Sequence, residues 1–232
     1  MKTWIGTSGF QYPAWKGSFY PEKLAVSKML PFYATQFPTT EVNYSFRQIP
    51  SAKTIGNWFQ ATPVDFRFSF KAPQRITHFA KLFECAEILS VFEEAIAGMG
   101  EKRGIVLFEL PPNFIKDTAL LGDFLAQLPA SMRAAFEFRH PSWFDDAVWE
   151  VLRSHNTALC IAENEEIATP PEVTADFGYL RLRREDYAKG DINKWAKFIA
   201  KQKSAWQESF IYFKHEDTAI GTTFAKQMQE AL

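Results

Sequence analysis

Residues 66–71 read Phe66-Arg67-Phe68-Ser69-Phe70-Lys71, three aromatic rings alternating with two cations and a hydroxyl. Successive side chains of a strand point to opposite faces, so the rings share one face and Arg67, Ser69 and Lys71 the other. Parallel strands covered on both sides normally read as unbroken apolar runs, and a polar group at every second position needs a surround of its own. Rings facing helices, with polar groups facing the lumen of a closed sheet, supply one. The same alternation sets Glu41 and Asn43 opposite Val42 and Tyr44, Glu137 and Arg139 opposite Phe136 and Phe138, and Arg181 and Arg183 opposite Leu180 and Leu182. On weaker parity Glu109 follows Ile105 and Leu107, Glu163 follows Leu159 and Ile161, and Lys214 follows Tyr212.

Outward from this segment, β-branched and aromatic residues mark eight strands, at 2–8, 40–46, 66–71, 104–110, 134–139, 158–163, 178–183 and 209–214. Helical patterns fall at 27–37, 51–60, 83–98, 117–128, 145–155, 192–203 and 222–231, with none between the sixth and seventh strands. Ser51 and Asp117 suit helix N-caps, and Gly98 and Gly100 a helix stop. Strands alternating with helices over this length predict an α/β fold, a TIM-like (β/α)8 barrel forming a single domain over residues 1–232. A doubly wound open sheet is the alternative.

The 232 residues are 47% hydrophobic and 23% charged, which excludes disordered, collagenous and coiled-coil classes. Lys and Arg number 26 against 27 Asp and Glu, so no overall field draws nucleic acid or cationic partners and charge-based function is local. The first residues break at Gly6 before any apolar run of signal length, and no stretch reads as a membrane span or membrane-binding element. Cys85 and Cys160 lack CxxC spacing and read as buried small hydrophobes in a reducing compartment, which points to the cytoplasm. Nothing in the pattern sets an oligomeric state.

The inward charges gather late in their strands, where barrel enzymes place their sites. Arg67, Lys71, Arg139, Arg181, Arg183 and Lys214 outnumber Glu41, Glu109, Glu137 and Glu163 by two, an excess that an anionic ligand would balance. The competing reading is an internal salt-bridge network without a ligand, since buried ion pairs are weak evidence for activity.

A series of motifs runs in a familiar order. Gly6-Thr7-Ser8-Gly9-Phe10 with Tyr12, Trp15 and Phe19-Tyr20-Pro21 comes first, then Thr40-Glu41-Val42-Asn43, Phe68-Ser69-Phe70-Lys71-Ala72-Pro73 and Ile76-Thr77-His78. Leu110-Pro111-Pro112-Asn113-Phe114 and Glu137-Phe138-Arg139-His140 with Ser142-Trp143 follow. This order resembles the YecE-like family, domain of unknown function seventy-two, over most of the chain. The resemblance implies a TIM-barrel-like fold and no settled activity. Departures fall late: Glu109 where the family commonly has Gln, Arg181-Leu182-Arg183-Arg184 for an Arg-x-His-Gly pattern, and Phe213-Lys214-His215 for Phe-Asn-Asn.

The expected function is an enzyme acting on a phosphorylated or polyanionic substrate at the barrel mouth, a nucleic-acid phosphodiester being one such substrate. Glu41, Glu137, His78 and His140 are the candidate catalytic groups, and Asn43, Lys71, Arg139, Trp143, Arg181, Arg183 and Trp15 the candidate substrate contacts. His78, His140 and His215 are too few for a multi-metal cluster, but one Mg²⁺ or Mn²⁺ on Glu41 and Glu137 stays open. So do a non-catalytic anion- or metabolite-binding protein and a glycoside hydrolase working through paired carboxylates. No GxGxxG, Walker A, GxSxG or HExxH motif occurs.

Overall fold

Eight parallel strands close on themselves in sequence order: β1 (Lys2–Ser8), β2 (Thr39–Val42), β3 (Arg67–Lys71), β4 (Arg103–Glu109), β5 (Ala134–Glu137), β6 (Ala158–Glu163), β7 (Phe177–Leu182) and β8 (Glu208–Phe213). They form a TIM-like (β/α)8 barrel, and the open-sheet alternative falls because β8 pairs with β1 from Lys2↔Glu208 to Thr7↔Phe213. The computed structural model describes residues 1–163, 168–214 and 216–232. The helices are α1 (Met29–Ala34), α2 (Tyr44–Arg47), α3 (Ala52–Gln60), α4 (Ala86–Ala97), α5 (Thr118–Ala126), α6 (Asp146–Ser154), α7 (Lys189–Lys201) and α8 (Ile220–Ala231). As expected, no helix lies between β6 and β7 among the described residues. No helix there is long and apolar enough to cross a membrane.

Local chemistry fixes the helix starts that the sequence marks. Ser51 Oγ accepts from Thr54 N at 3.2 Å at the start of α3, and Asp117 Oδ1 from Leu120 N at 2.9 Å at the start of α5, each satisfying a backbone donor that the helix leaves unpaired. The expected strand 40–46 instead ends at Val42, and Tyr44–Arg47 turns into α2. Ser45 causes the break: its hydroxyl donates to Lys71 O at 2.7 Å and lies 3.1 Å from Val42 O, folding the chain back over the end of β3.

The alternation of 66–71 resolves as read. Phe66, Phe68 and Phe70 are buried on the helix side, where Trp58 of α3 stacks on Phe68 with centroids 6.2 Å apart. The lumen is filled in layers. Its floor is apolar, with Trp4 stacked on Phe210 at 6.0 Å. Above it Tyr212 Oη donates to Ser69 Oγ at 2.8 Å and lies 2.7 Å from Thr39 Oγ1. The charged layer comes last, at the C-terminal mouth.

Two inward readings need correction. Arg67 opens β3, so its guanidinium lies over the Trp4 ring at 4.9 Å, on the floor and away from the mouth. Glu163 faces the helices: β6 turns Cys160 and Ala162 into the lumen, and Glu163 accepts from Tyr187 Oη at 2.8 Å and Trp195 Nε1 at 2.9 Å.

Candidate functional site

Three carboxylates, from β2, β4 and β5, meet one guanidinium. Arg181 of β7 donates through Nη2 to Glu41 Oε1 at 2.9 Å, and through Nη1 to Glu109 Oε2 at 2.8 Å and Glu137 Oε2 at 2.5 Å. Parity aims each of these side chains inward, and the parallel register Glu109↔Glu137 sets those two side by side while Glu41 pairs with Ser8 of β1. Glu41 also accepts from Ser8 Oγ, and from Tyr179 Oη at 2.6 Å. All three carboxylates and Arg181 are buried.

Three more cations cover this layer on the mouth side. Lys71 Nζ lies 2.9 Å from Glu109 Oε2, Arg139 reaches Glu109 at 3.2 Å and Glu137 at 3.3 Å, and Arg183 Nη2 reaches Glu137 Oε1 at 2.6 Å. Their side chains are 11%, 32% and 11% exposed, so Arg139 is the most open to solvent. Arg183 Nε is buried without a partner, and Arg139 leaves Nη1 outside its two ion pairs. Four cations therefore share three carboxylates; Arg181 Nε is also unpartnered but lies buried beneath, and the unspent donors nearer the mouth belong to the upper three.

Burial and repulsion from Glu137 push the Glu109 carboxyl up, but Arg181, Lys71 and Arg139 outweigh them and hold it below its ordinary value. Burial pushes Glu137 up likewise, and Arg181, Arg183 and Arg139 hold it far below. Held ionised in this way, neither Glu109 nor Glu137 suits the general-acid role that a paired-carboxylate glycosidase needs. Burial lowers the Lys71 ammonium pKa against the pull of Glu109. It lowers that of His78 too, against the pull of Glu109 and with Lys71 and Arg139 adding to it, so the imidazole is neutral near pH 7.

The geometry sorts the residues singled out by sequence. Lys71, Arg139, Arg183 and Asn43 reach the mouth, Asn43 donating to Ser8 Oγ at 3.0 Å and lining a cleft there. His78 stands at the rim, edge-on to Phe46 at 5.0 Å, and the Lys71 ammonium sits over that same ring at 4.0 Å. Glu41 and Glu137, the candidate catalytic carboxylates, lie buried beneath the mouth with all four oxygens hydrogen-bonded. Arg181 is likewise a buried clasp and no substrate contact. Trp15 is buried among Tyr12, Phe19 and Tyr20. Trp143 is buried against Phe138 at 4.7 Å with its Nε1 donating to Phe114 O at 2.6 Å, so neither indole presents a face to a ligand. His140 caps the turn Pro141–Trp143, its Nδ1 accepting from Ser142 N at 3.2 Å, which fixes the ring against that turn. His215 lies outside the described residues.

A divalent cation on Glu41 and Glu137 does not fit this donor set. Their oxygens already accept from Arg181, Arg183, Tyr179 and Ser8, and an ion between them would meet the Arg181 guanidinium. No group of three or more His, Cys, Asp or Glu among the described residues could hold a metal.

Beside the charged layer, between the ends of β1, β2, β3 and β8, opens a cleft of ≈ 660 Å³. Its aromatic lining, Tyr44, Phe46 and Trp58 among it, escaped the sequence reading. Extending the second strand to residue 46 turned Tyr44 and Phe46 toward the helices, and only the break at Asn43 brings both to the mouth.

Architecture and motif order now have counterparts among known proteins. A family model, the protein of unknown function DUF72, matches residues 4–232. The chain belongs to the DUF72 family. Among its curated relatives, the UPF0759 protein YecE of Escherichia coli (strain K12) is 29% identical over 142 residues, 61% of this chain and 50% of that protein. The UPF0759 protein YunF of Bacillus subtilis (strain 168) is 30% identical over 141 residues, 57% of this chain and 50% of that one. The chain thus aligns with about half the length of each. A DUF72 family protein from Thermotoga maritima superposes with a TM-score of 0.84 at 22% identity, covering 99% of this chain and 98% of that one. SacUVDE superposes with a TM-score of 0.56 at 10% identity, covering 99% and 98%. These structural likenesses speak to the fold.

Proposed function

We propose that this DUF72 protein binds a phosphate-bearing substrate at the barrel mouth through Lys71, Arg139 and Arg183, and acts on it with His78 as the proton-transfer group. The observation that carries this reading is the sharing of three buried carboxylates among four cations, with unspent guanidinium donors on the mouth side. Arginine cannot shed its charge, and its planar donors match a phosphate oxygen pair. Glu109 and Glu137 fix the cations in place beforehand, so a phosphate would meet donors already oriented. His78 is neutral near pH 7 and its Nδ1 lies 2.9 Å from Thr77 Oγ1, a contact that orients the ring for general acid–base work.

Calorimetry of the wild type with inorganic phosphate and a panel of phosphate monoesters tests this, alongside Arg139→Gln and Lys71→Gln. A charge-assisted hydrogen bond contributes about 1.5–3 kcal/mol, so each variant should bind roughly 10- to 100-fold more weakly, and binding should weaken with added salt. His78→Gln should keep the affinity and lose about 100-fold or more in phosphoester turnover. Wild-type protein that binds no phosphate compound would leave the charged layer as an internal network. Binding without turnover of any ester would make this a carrier and not an enzyme.

A further inference from the structure

The cleft beside the charged layer differs from it in chemistry. Phe10, Tyr12, Tyr44, Phe46 and Trp58 line it, with Lys71 at its inner end. These rings come from separate parts of the chain: the segment after β1, α2 and α3. Trp58 spends one face on Phe68 and meets the Tyr44 ring edge-on at 6.1 Å, while Tyr44 itself is 45% exposed. Such an aromatic surface beside a cation matches a ligand with a flat unsaturated ring at one end and an anion at the other.

A bare phosphosugar matches it less well, because hydroxyls need polar partners. Several polar groups of the wall are engaged: Asn43 Nδ2 donates to Ser8 Oγ at 3.0 Å, Tyr12 Oη donates to Ser8 O at 3.1 Å and Lys214 pairs with Glu216 at 3.1 Å, while the exposed Gln11 and Arg47 stand beside the rings. Rings remain, and stacking on them tolerates any base. The volume, ≈ 660 Å³, lies within the usual range for small-molecule sites.

We infer that the ligand is a nucleoside monophosphate unit, its base against Tyr44 and Trp58 and its phosphate on Lys71. This rests on the anion reading above and narrows it to a ligand class. The unit could be a free nucleotide or the 5′-phosphorylated end of a strand, which share the recognised chemistry.

The test is calorimetric titration with the 5′-monophosphates of adenosine, guanosine, cytidine and uridine, with ribose 5-phosphate, with inorganic phosphate, with the four uncharged nucleosides, and with a 5′-phosphorylated trinucleotide. At least one nucleotide should bind wild type roughly tenfold or more tightly than ribose 5-phosphate. Tyr44→Ala, at an exposed position where folding should survive, should remove most of that difference and leave ribose 5-phosphate unchanged; an unaltered melting temperature verifies the fold. Lys71→Gln should weaken every phosphate compound. A trinucleotide that binds more tightly than its 5′-terminal mononucleotide would identify a strand end as the source, and equal binding the free nucleotide. If nucleotides and ribose 5-phosphate bind wild type equally, or Tyr44→Ala weakens both alike, the inference is overturned and the anion reading stands. If nucleosides bind as well as nucleotides, the anion reading fails and takes the nucleotide assignment with it. If no compound binds, both fall.

Discussion

Glu137 holds more of the site together than any other side chain described. It accepts from Arg181 at 2.5 Å, Arg183 at 2.6 Å and Arg139 at 3.3 Å, and Cys160 Sγ lies 3.9 Å from Oε2. Removing one partner of a buried ion pair leaves the other charge uncompensated, at about 3–5 kcal/mol. Glu137→Gln is therefore expected to lower unfolding stability by about that amount, seen as a lower urea midpoint. Arg139→Gln, at a side chain 32% exposed, should shift the same midpoint by less than about 1 kcal/mol. Equal losses in the two variants would contradict the division between a buried orienting layer and an open contact layer. Of that division the sequence shows only half. Strand parity places Glu137 and Arg139 inward together, but the depth of each depends on where the surrounding strands end.

Among the elements, the connection from β3 to α4 carries His78 and the most strained backbone described. Arg75–Phe79 forms a π-helical turn, an arrangement often met at functional sites, and Lys81, Leu82 and Glu84 follow with φ of 48°, 69° and 47°. Left-handed backbone costs an ordinary residue roughly 1–2 kcal/mol, and three such residues persist here because burial of Leu82 and Ile76 pins the loop. Glu84 is exposed, so Glu84→Gly relieves strain without removing packing. The gain is offset by glycine's larger unfolded-state entropy, and a net stabilisation of up to about 1 kcal/mol is expected. A thermal melt reads it, and a clear drop in melting temperature would mean that the side chain matters to the loop. The sequence marks Ile76-Thr77-His78 as a motif without revealing this backbone, because positive φ at Lys, Leu and Glu is imposed by the fold against local preference.

For the whole molecule, closing eight strands into a ring makes one charged layer out of residues more than a hundred positions apart, and links stability to acid. Glu109 and Glu137 lie below their ordinary values when folded, so the unfolded chain takes up protons first as pH falls. Their stabilisation is complete above about pH 5 and is lost progressively below about pH 4.5, as pH drops through the folded values. Urea midpoints from pH 7 to pH 3 should fall along that limb, and the limb should flatten in Glu137→Gln; a slope unchanged by the substitution would place the acid sensitivity elsewhere. The eight strands, the lack of a helix among the described residues between β6 and β7, the two side-chain N-caps and the inward parity of Glu41, Lys71, Glu109, Glu137 and Arg181 were all determined by the sequence alone, because strand period and capping are local properties of the chain. Which charges neutralise one another, the withdrawal of Trp15 and Trp143 into the core, the outward turn of Glu163 and the aromatic cleft were decided only by the tertiary structure. Each depends on what lies across the barrel or behind the strand, and a side chain's neighbours in space are set by closure and packing rather than by its neighbours in sequence.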